Sequence, residues 1–307
     1  MCSPRITSTQ TLALLTALLC ATPTGAQGQP NDAPDAVLSR LRASGLASST
    51  DRITVYFPAG MEARAFADRA RVQEALRFYA DSLGVTPELT LGVLDRRTWA
   101  SLGVPQPYGI PGVEGVPPVA YVPATDDGLA AMDALSIAAR VGDSAHRRLT
   151  AAGTDWEGAA RSHVELVGLH ELGHVLVNTY GIRTRSLWFN EWLATYAAYA
   201  FMRAQRPIDA LVWEGVLQGF RDAVQPEYRT LEEFERQYFG VGALNYVWYQ
   251  ARFQAQVQAV YATHGVDLLR RVRAVFAADT PNATVEDVLT RLESIAPGFR
   301  AWAATMR

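Results

Sequence analysis

The sequence predicts an α+β fold, with a mixed strand-and-helix N-terminal part and an all-helical C-terminal part. Three observations carry this. Residues 52–58 ("RITVYFP"), 89–95 ("LTLGVLD") and 118–124 ("PVAYVPA") are short apolar runs that read as strands. Between the first two, residues 63–84 repeat apolar side chains at helical spacing and stop at Gly84. From Trp156 onward no strand pattern occurs, and helical segments follow one another, punctuated by Gly181, Pro207, Pro226, Gly240 to Gly242, Gly265 and Pro281. A chain of 307 residues, 49% hydrophobic, has ample material for a packed core.

The elements are justified in order. Residues 1–26 place Arg5 before an apolar run from Thr11 to Ala21 and small residues ending in Thr24-Gly25-Ala26, the pattern of a secretory signal cut after Ala26. The run is too short to span a bilayer, which takes about 20 apolar residues. An exported protein, periplasmic or extracellular, with no stable membrane span in its mature form is therefore expected. Both cysteines, Cys2 and Cys20, fall inside this leader, so the mature chain has no thiol to form a disulfide or to ligate a metal. Residues 27–50 are small and polar, and read as a flexible linker with at most one short helix. Residues 51–307 form the main domain, its mixed lobe covering 51–180 and its helical lobe 181–307. Within the mixed lobe, residues 103–118 ("GVPQPYGIPGVEGVPP") are too rich in Gly and Pro for either helix or strand. Near the C-terminus, Asn282-Ala283-Thr284 is a nominal glycosylation sequon, but Thr284 with Asp287 three residues on reads better as a helix cap.

Charge narrows the partners. The formal net charge is −3 with both signs scattered, so there is no basic stripe for nucleic acid. All 28 basic residues are arginine, from which no function follows.

The chemistry concentrates at "HELGH". Of five histidines, two are His170 and His174, with Glu171 between them. The surrounding stretch is apolar enough for a buried helix ending at Gly181. On a helix His170 and His174 lie one turn apart on one face, so both imidazoles can converge on one ion. Glu171 is rotated by about 100° and reaches a water beside that ion without being a ligand. Gly168 and Gly173 each cost this helix about 1 kcal/mol relative to Ala, which points to a neighbour packed close against its backbone. A catalytic zinc needs a third protein ligand. Sixteen residues separate His174 from Glu191, in "LWFNEWLATYAAYAF", where a carboxylate on an apolar helix needs a partner such as a metal. The metzincin arrangement is ruled out, because the positions for its Gly and His are Val177 and Tyr180.

"HELGH" followed at this distance by "WFNEWLATYA" resembles the gluzincin metallopeptidases, the thermolysin-like and aminopeptidase-like zincins, over about residues 164–199. The resemblance implies a zincin-like fold, one Zn2+ per chain held by His170, His174 and Glu191, Glu171 as general base, and a peptide or protein substrate. Three departures stand out. The spacer is two residues shorter than in the aminopeptidase branch and Trp192 replaces a glycine. The Gly-x-Met-Glu-Asn segment that grips a substrate amino terminus is absent, so aminopeptidase specificity does not carry over. Thr195 stands where thermolysin-type members place an aspartate behind a ligand histidine, so support for that histidine is expected elsewhere.

The family often uses a Tyr or His of the helical lobe to stabilise the oxyanion, and "QYFGVGALNYVWYQ" offers Tyr246 first and Tyr249 second. By the same resemblance an edge strand of the mixed lobe pairs with the peptide main chain, and the run at residues 118–124 is the strand expected there. His163, two turns before His170, reads as packing or support, His264 as a helix C-terminal residue, and His146 as surface. The expected activity is an exported zinc-dependent peptidase. Its alternative is a non-catalytic domain of the same fold serving as a binding module or sensor.

Overall fold

The computed structural model describes residues 36–278 and 283–307. The mixed part comprises α1 (Ala36–Ala43), β1 (Ala47–Thr50), β2 (Thr54–Phe57), α2 (Glu62–Leu83), β3 (Thr90–Leu94), α3 (Arg96–Ser101), β4 (Gly112–Glu114) and β5 (Val119–Pro123). Helices alone follow: α4 (Leu129–Ser136), α5 (Asp143–Ala151), α6 (Trp156–Thr179), α7 (Leu187–Gln205), α8 (Pro207–Ala223), α9 (Leu231–Gln237), α10 (Ala243–His264), α11 (Asp267–Phe276), α12 (Val285–Ile295) and α13 (Phe299–Ala303). The α+β expectation holds at this level: a five-stranded mixed sheet in a chain that is mostly helical.

The strand order is β1-β2-β3-β5-β4, with β2, β3 and β5 parallel and the two edges antiparallel. Both faces are covered, which is why the β3 and β5 sequences are apolar throughout instead of alternating. Val55, Leu91, Val93, Ala120 and Val122 point into the main core against α2 and α6. Leu94, Val119 and Tyr121 point the other way, onto Leu38, Leu41, Trp99 and Leu102 of α1 and the α3 region.

Three expectations are corrected. Residues 36–50, read as linker with at most one short helix, supply that helix, α1, and also the edge strand β1, whose Ala47 to Thr50 pair with Phe57 to Thr54. Leu38 and Leu41 are anchors that a polar composition hides, since two side chains suffice to seat a short helix. The Gly/Pro-rich segment contains β4, and β4 is the other edge. The run at 118–124 is an interior strand, hydrogen-bonded to β3 on one side and β4 on the other, so it has no free edge. The leader, both cysteines and Asn282 lie outside the described residues.

Other boundaries follow local rules. Gly84 ends α2 in the left-handed conformation at φ 68°. Gly181 follows α6 with φ 81°. Thr284 and Asp287 form the expected capping box at the start of α12. Among the described residues no helix is long and apolar enough to cross a membrane.

Candidate metal centre

Helix α6 begins at Asp155, whose side chain accepts from the Gly158 amide at 2.8 Å, and runs buried through the molecule. It is apolar nearly all round because it is wrapped by β4 and β5, α4, α7 and α8. Two of its three glycines, Gly168 and Gly173, mark close neighbours from other elements. A Cβ on Gly173 would lie 2.4 Å from the Ala194 carbonyl oxygen of α7, and one on Gly168 would lie 3.1 Å from Val122 of β5. The glycine signal thus reports the contact that brings α7 against the histidines.

That contact assembles the centre. Ligand atoms of His170, Glu171 and His174 all lie within 4.8 Å of one another, a group able to hold a metal ion. Glu191, on the second turn of α7, points its Oε2 at the same place, 3.0 Å from His170 Nε2 and 3.6 Å from His174 Nε2. His170 and Glu191 are 4% and 3% exposed, while His174 and Glu171 are half-buried and face the approach.

The surrounding hydrogen bonds fix each group. Gln250 Nε2 donates to Glu191 Oε2 at 2.9 Å, which turns Gln250 Oε1 toward the Thr195 hydroxyl at 3.2 Å. Thr195 donates there, so its oxygen accepts from His170 Nδ1 at 3.1 Å. With Nδ1 turned to Thr195, His170 Nε2 is the ring nitrogen that meets Glu191 Oε2, 3.0 Å away. Thr195 was expected to leave His170 without support from its position; instead its hydroxyl takes the place of a carboxylate, with Gln250 behind it. His174 is held by a hydrogen bond to the side chain of Asn190, also on α7.

Tyr246 donates to Glu191 Oε2 at 2.8 Å, so the structure brings this candidate into the site, on the carboxylate. Tyr249 is not in the site. Its ring is fully buried against Phe234 and its hydroxyl donates to the Thr230 carbonyl at 2.9 Å. Tyr238, unnoticed in the sequence, donates to Glu191 Oε1 at 2.5 Å. It sits just past α9, and Glu235 of that helix accepts from Ser186 Oγ (2.5 Å) and from the amides of Leu187 (3.1 Å) and Trp188 (3.0 Å), capping α7.

Protonation follows from burial and neighbours. Burial would raise Glu191, but His174 and the bonds from His170 outweigh it and hold the carboxyl well below its ordinary value. Burial pushes Glu171 up, against the pull of His174 and His170. For His174 burial works downward, yet Glu191, Asn190 and Glu171 together raise it to about 9. Burial, then Glu191, pushes the phenols of Tyr238 and Tyr246 upward, so both remain donors. Elsewhere His163 stacks 5.2 Å from Trp213, and burial lowers it to about 4, consistent with packing. His146 is exposed on α5 and His264 ends α10.

Compared with known proteins, the chain matches no family model, no curated protein and no solved structure.

Proposed function

We propose that the protein is an exported zinc-dependent peptidase of gluzincin type. The observation that carries the reading is the convergence of His170 Nε2 and His174 Nε2 on Glu191 Oε2, at 3.0 and 3.6 Å, with Glu171 beside them, a group able to hold a metal ion. Two imidazoles and one carboxylate suit zinc and match the composition of known catalytic sites, leaving a position for water. His170, His174 and Glu191 would hold the ion, which when bound supplies Lewis-acid polarisation of the scissile carbonyl and acidifies water. Burial raises Glu171, which in this reading serves as the base and not as a ligand. Its carboxylate takes the proton of the attacking water and delivers it to the leaving amine nitrogen, returning to the carboxylate form. Tyr246, whose hydroxyl proton goes to Glu191 Oε2 at 2.8 Å, would have to turn from that carboxylate to donate to the oxyanion. The edge strand β4 packs against α6, and strand addition there would seat an extended peptide beside the site helix. Export rests on the leader at residues 1–26.

The test is elemental analysis of mature wild type beside His174→Ala and Glu191→Ala, with a peptide-library digest of wild type and Glu171→Gln. One zinc per chain lost in the two ligand variants, with activity falling about 100-fold or more in Glu171→Gln at full zinc, is the expected result. No zinc in reconstituted wild type overturns the metal centre. Zinc without cleavage identifies a binding or sensor domain instead.

A further inference from the structure

The side chains around Glu191 divide its two oxygens between them. Oε2 faces the imidazoles of α6, 3.0 Å from His170 Nε2 and 3.6 Å from His174 Nε2, and accepts from Tyr246 at 2.8 Å and from Gln250 at 2.9 Å on α10. Oε1 accepts from Tyr238 at 2.5 Å, within the range expected of a hydroxyl donating to a carboxylate. Tyr246 and Gln250 share one helix, whereas Tyr238 follows the end of α9, so the two oxygens are fixed from different elements.

The Tyr238 hydroxyl is placed independently of any ion. Three residues earlier, Glu235 ties α9 to the start of α7 through Ser186 Oγ and the amides of Leu187 and Trp188. Glu191 lies about one turn further along α7, so α9 grips that helix at two neighbouring points. The half-buried Tyr238 ring also packs edge-on against Phe234 at 5.4 Å and against Tyr246 at 6.1 Å, which restrains its rotation.

The carboxylate has no such preference of its own. The last torsion of a glutamate is broad and roughly two-fold, so little within the side chain decides whether one oxygen or both turn toward a cation. A catalytic zinc takes three protein ligands and keeps a fourth position for water. A carboxylate that offers both oxygens competes for that position.

We propose that Tyr238 is a positioning residue that holds Oε1 aside, so that Glu191 presents Oε2 alone to the ion, an assignment that rests on the zinc-site reading. The two tyrosines are then unequal. Removing the Tyr246 hydroxyl leaves Oε1 held by Tyr238 and Oε2 bonded to Gln250, whereas removing the Tyr238 hydroxyl frees Oε1 to turn inward.

The experiment uses Co2+ in place of zinc, because its visible absorption is stronger at four-coordinate than at five-coordinate sites. Mature wild type, Tyr238→Phe and Tyr246→Phe are each brought to saturation with Co2+ and checked by elemental analysis. Wild type and Tyr246→Phe should show the intense four-coordinate band. In Tyr238→Phe the band should fall to about half or less, while zinc affinity, from competition with a chromophoric chelator, stays within about tenfold of wild type. A Tyr238→Phe spectrum like that of wild type, an equal loss in both variants, or a weak five-coordinate band already in wild type would each overturn the assignment. So would a fall in zinc affinity beyond about tenfold in Tyr238→Phe, the mark of a phenol that merely supports the pocket. Absence of bound Co2+ in wild type fails the metal centre and the assignment together, whereas bound Co2+ with an unchanged Tyr238→Phe spectrum fails the assignment alone.

Discussion

Thr195 shows how much one hydroxyl can decide. Its oxygen accepts from His170 and its proton goes to Gln250, so a neutral group does what a carboxylate does in related chemistry, without adding charge beside Glu191. Thr195→Val keeps the shape and removes both bonds. Zinc affinity, measured by competition with a chromophoric chelator, should fall about 10- to 100-fold, while the far-ultraviolet spectrum stays that of wild type. His170, Glu171 and His174 were legible because their relation is local: four residues on a helix fix which side chains share a face. Glu191 was legible from its apolar surroundings. Thr195 as a partner, Gln250 and Tyr238 were not, since their roles depend on how α7, α9 and α10 dock. The i, i+4 spacing of Tyr246 and Gln250 puts both on one face of α10, but Tyr249 at i+3 borders the same face, so spacing alone does not separate the two tyrosines.

Helices α6 and α7 form the frame of the centre, and two devices set their relation. At Gly173 the Ala194 carbonyl occupies the space of a side chain. Gly173→Ala gains helix propensity but forces the pair apart. A net destabilisation of about 1–3 kcal/mol in urea unfolding is expected, with weakened zinc binding. At the other end Glu235 caps α7 from α9. Glu235→Ala leaves the Leu187 and Trp188 amides unpaired, and should cost about 2 kcal/mol in the same assay. Long helices and interior strands could be placed from sequence because their apolar periodicity is sustained. The edges β1 and β4 could not. An edge strand of three or four residues, one of them drawn from a Gly/Pro-rich stretch, carries too few side chains for a period to register.

At the scale of the whole molecule, acid sensitivity has an identifiable source. His163 titrates near 4 when folded and near 6.5 when unfolded, because its burial beside Trp213 disfavours the cation. Its stabilising contribution is full above about pH 6.5, declines as pH falls, and levels off below about 4, a loss of about 3 kcal/mol. His163→Phe retains a ring in the stack and removes the titration. The stability difference between wild type and variant should therefore move in the variant's favour across that window, as read from urea midpoints at successive pH values. No stability difference tracking pH would locate the acid sensitivity elsewhere. The coarse architecture was legible because a run of helices after a strand-rich segment constrains the layers, whereas the covering of both sheet faces required knowing that α1 folds back onto β3 and β5.

The depth of Glu191 and His170 has a consequence in time as well as in energy. An ion bound there would rest on two nearly sealed ligands, His170 and Glu191, and meet solvent past the half-buried His174 and Glu171, so exchange of that ion would proceed from the one side on which a substrate also arrives.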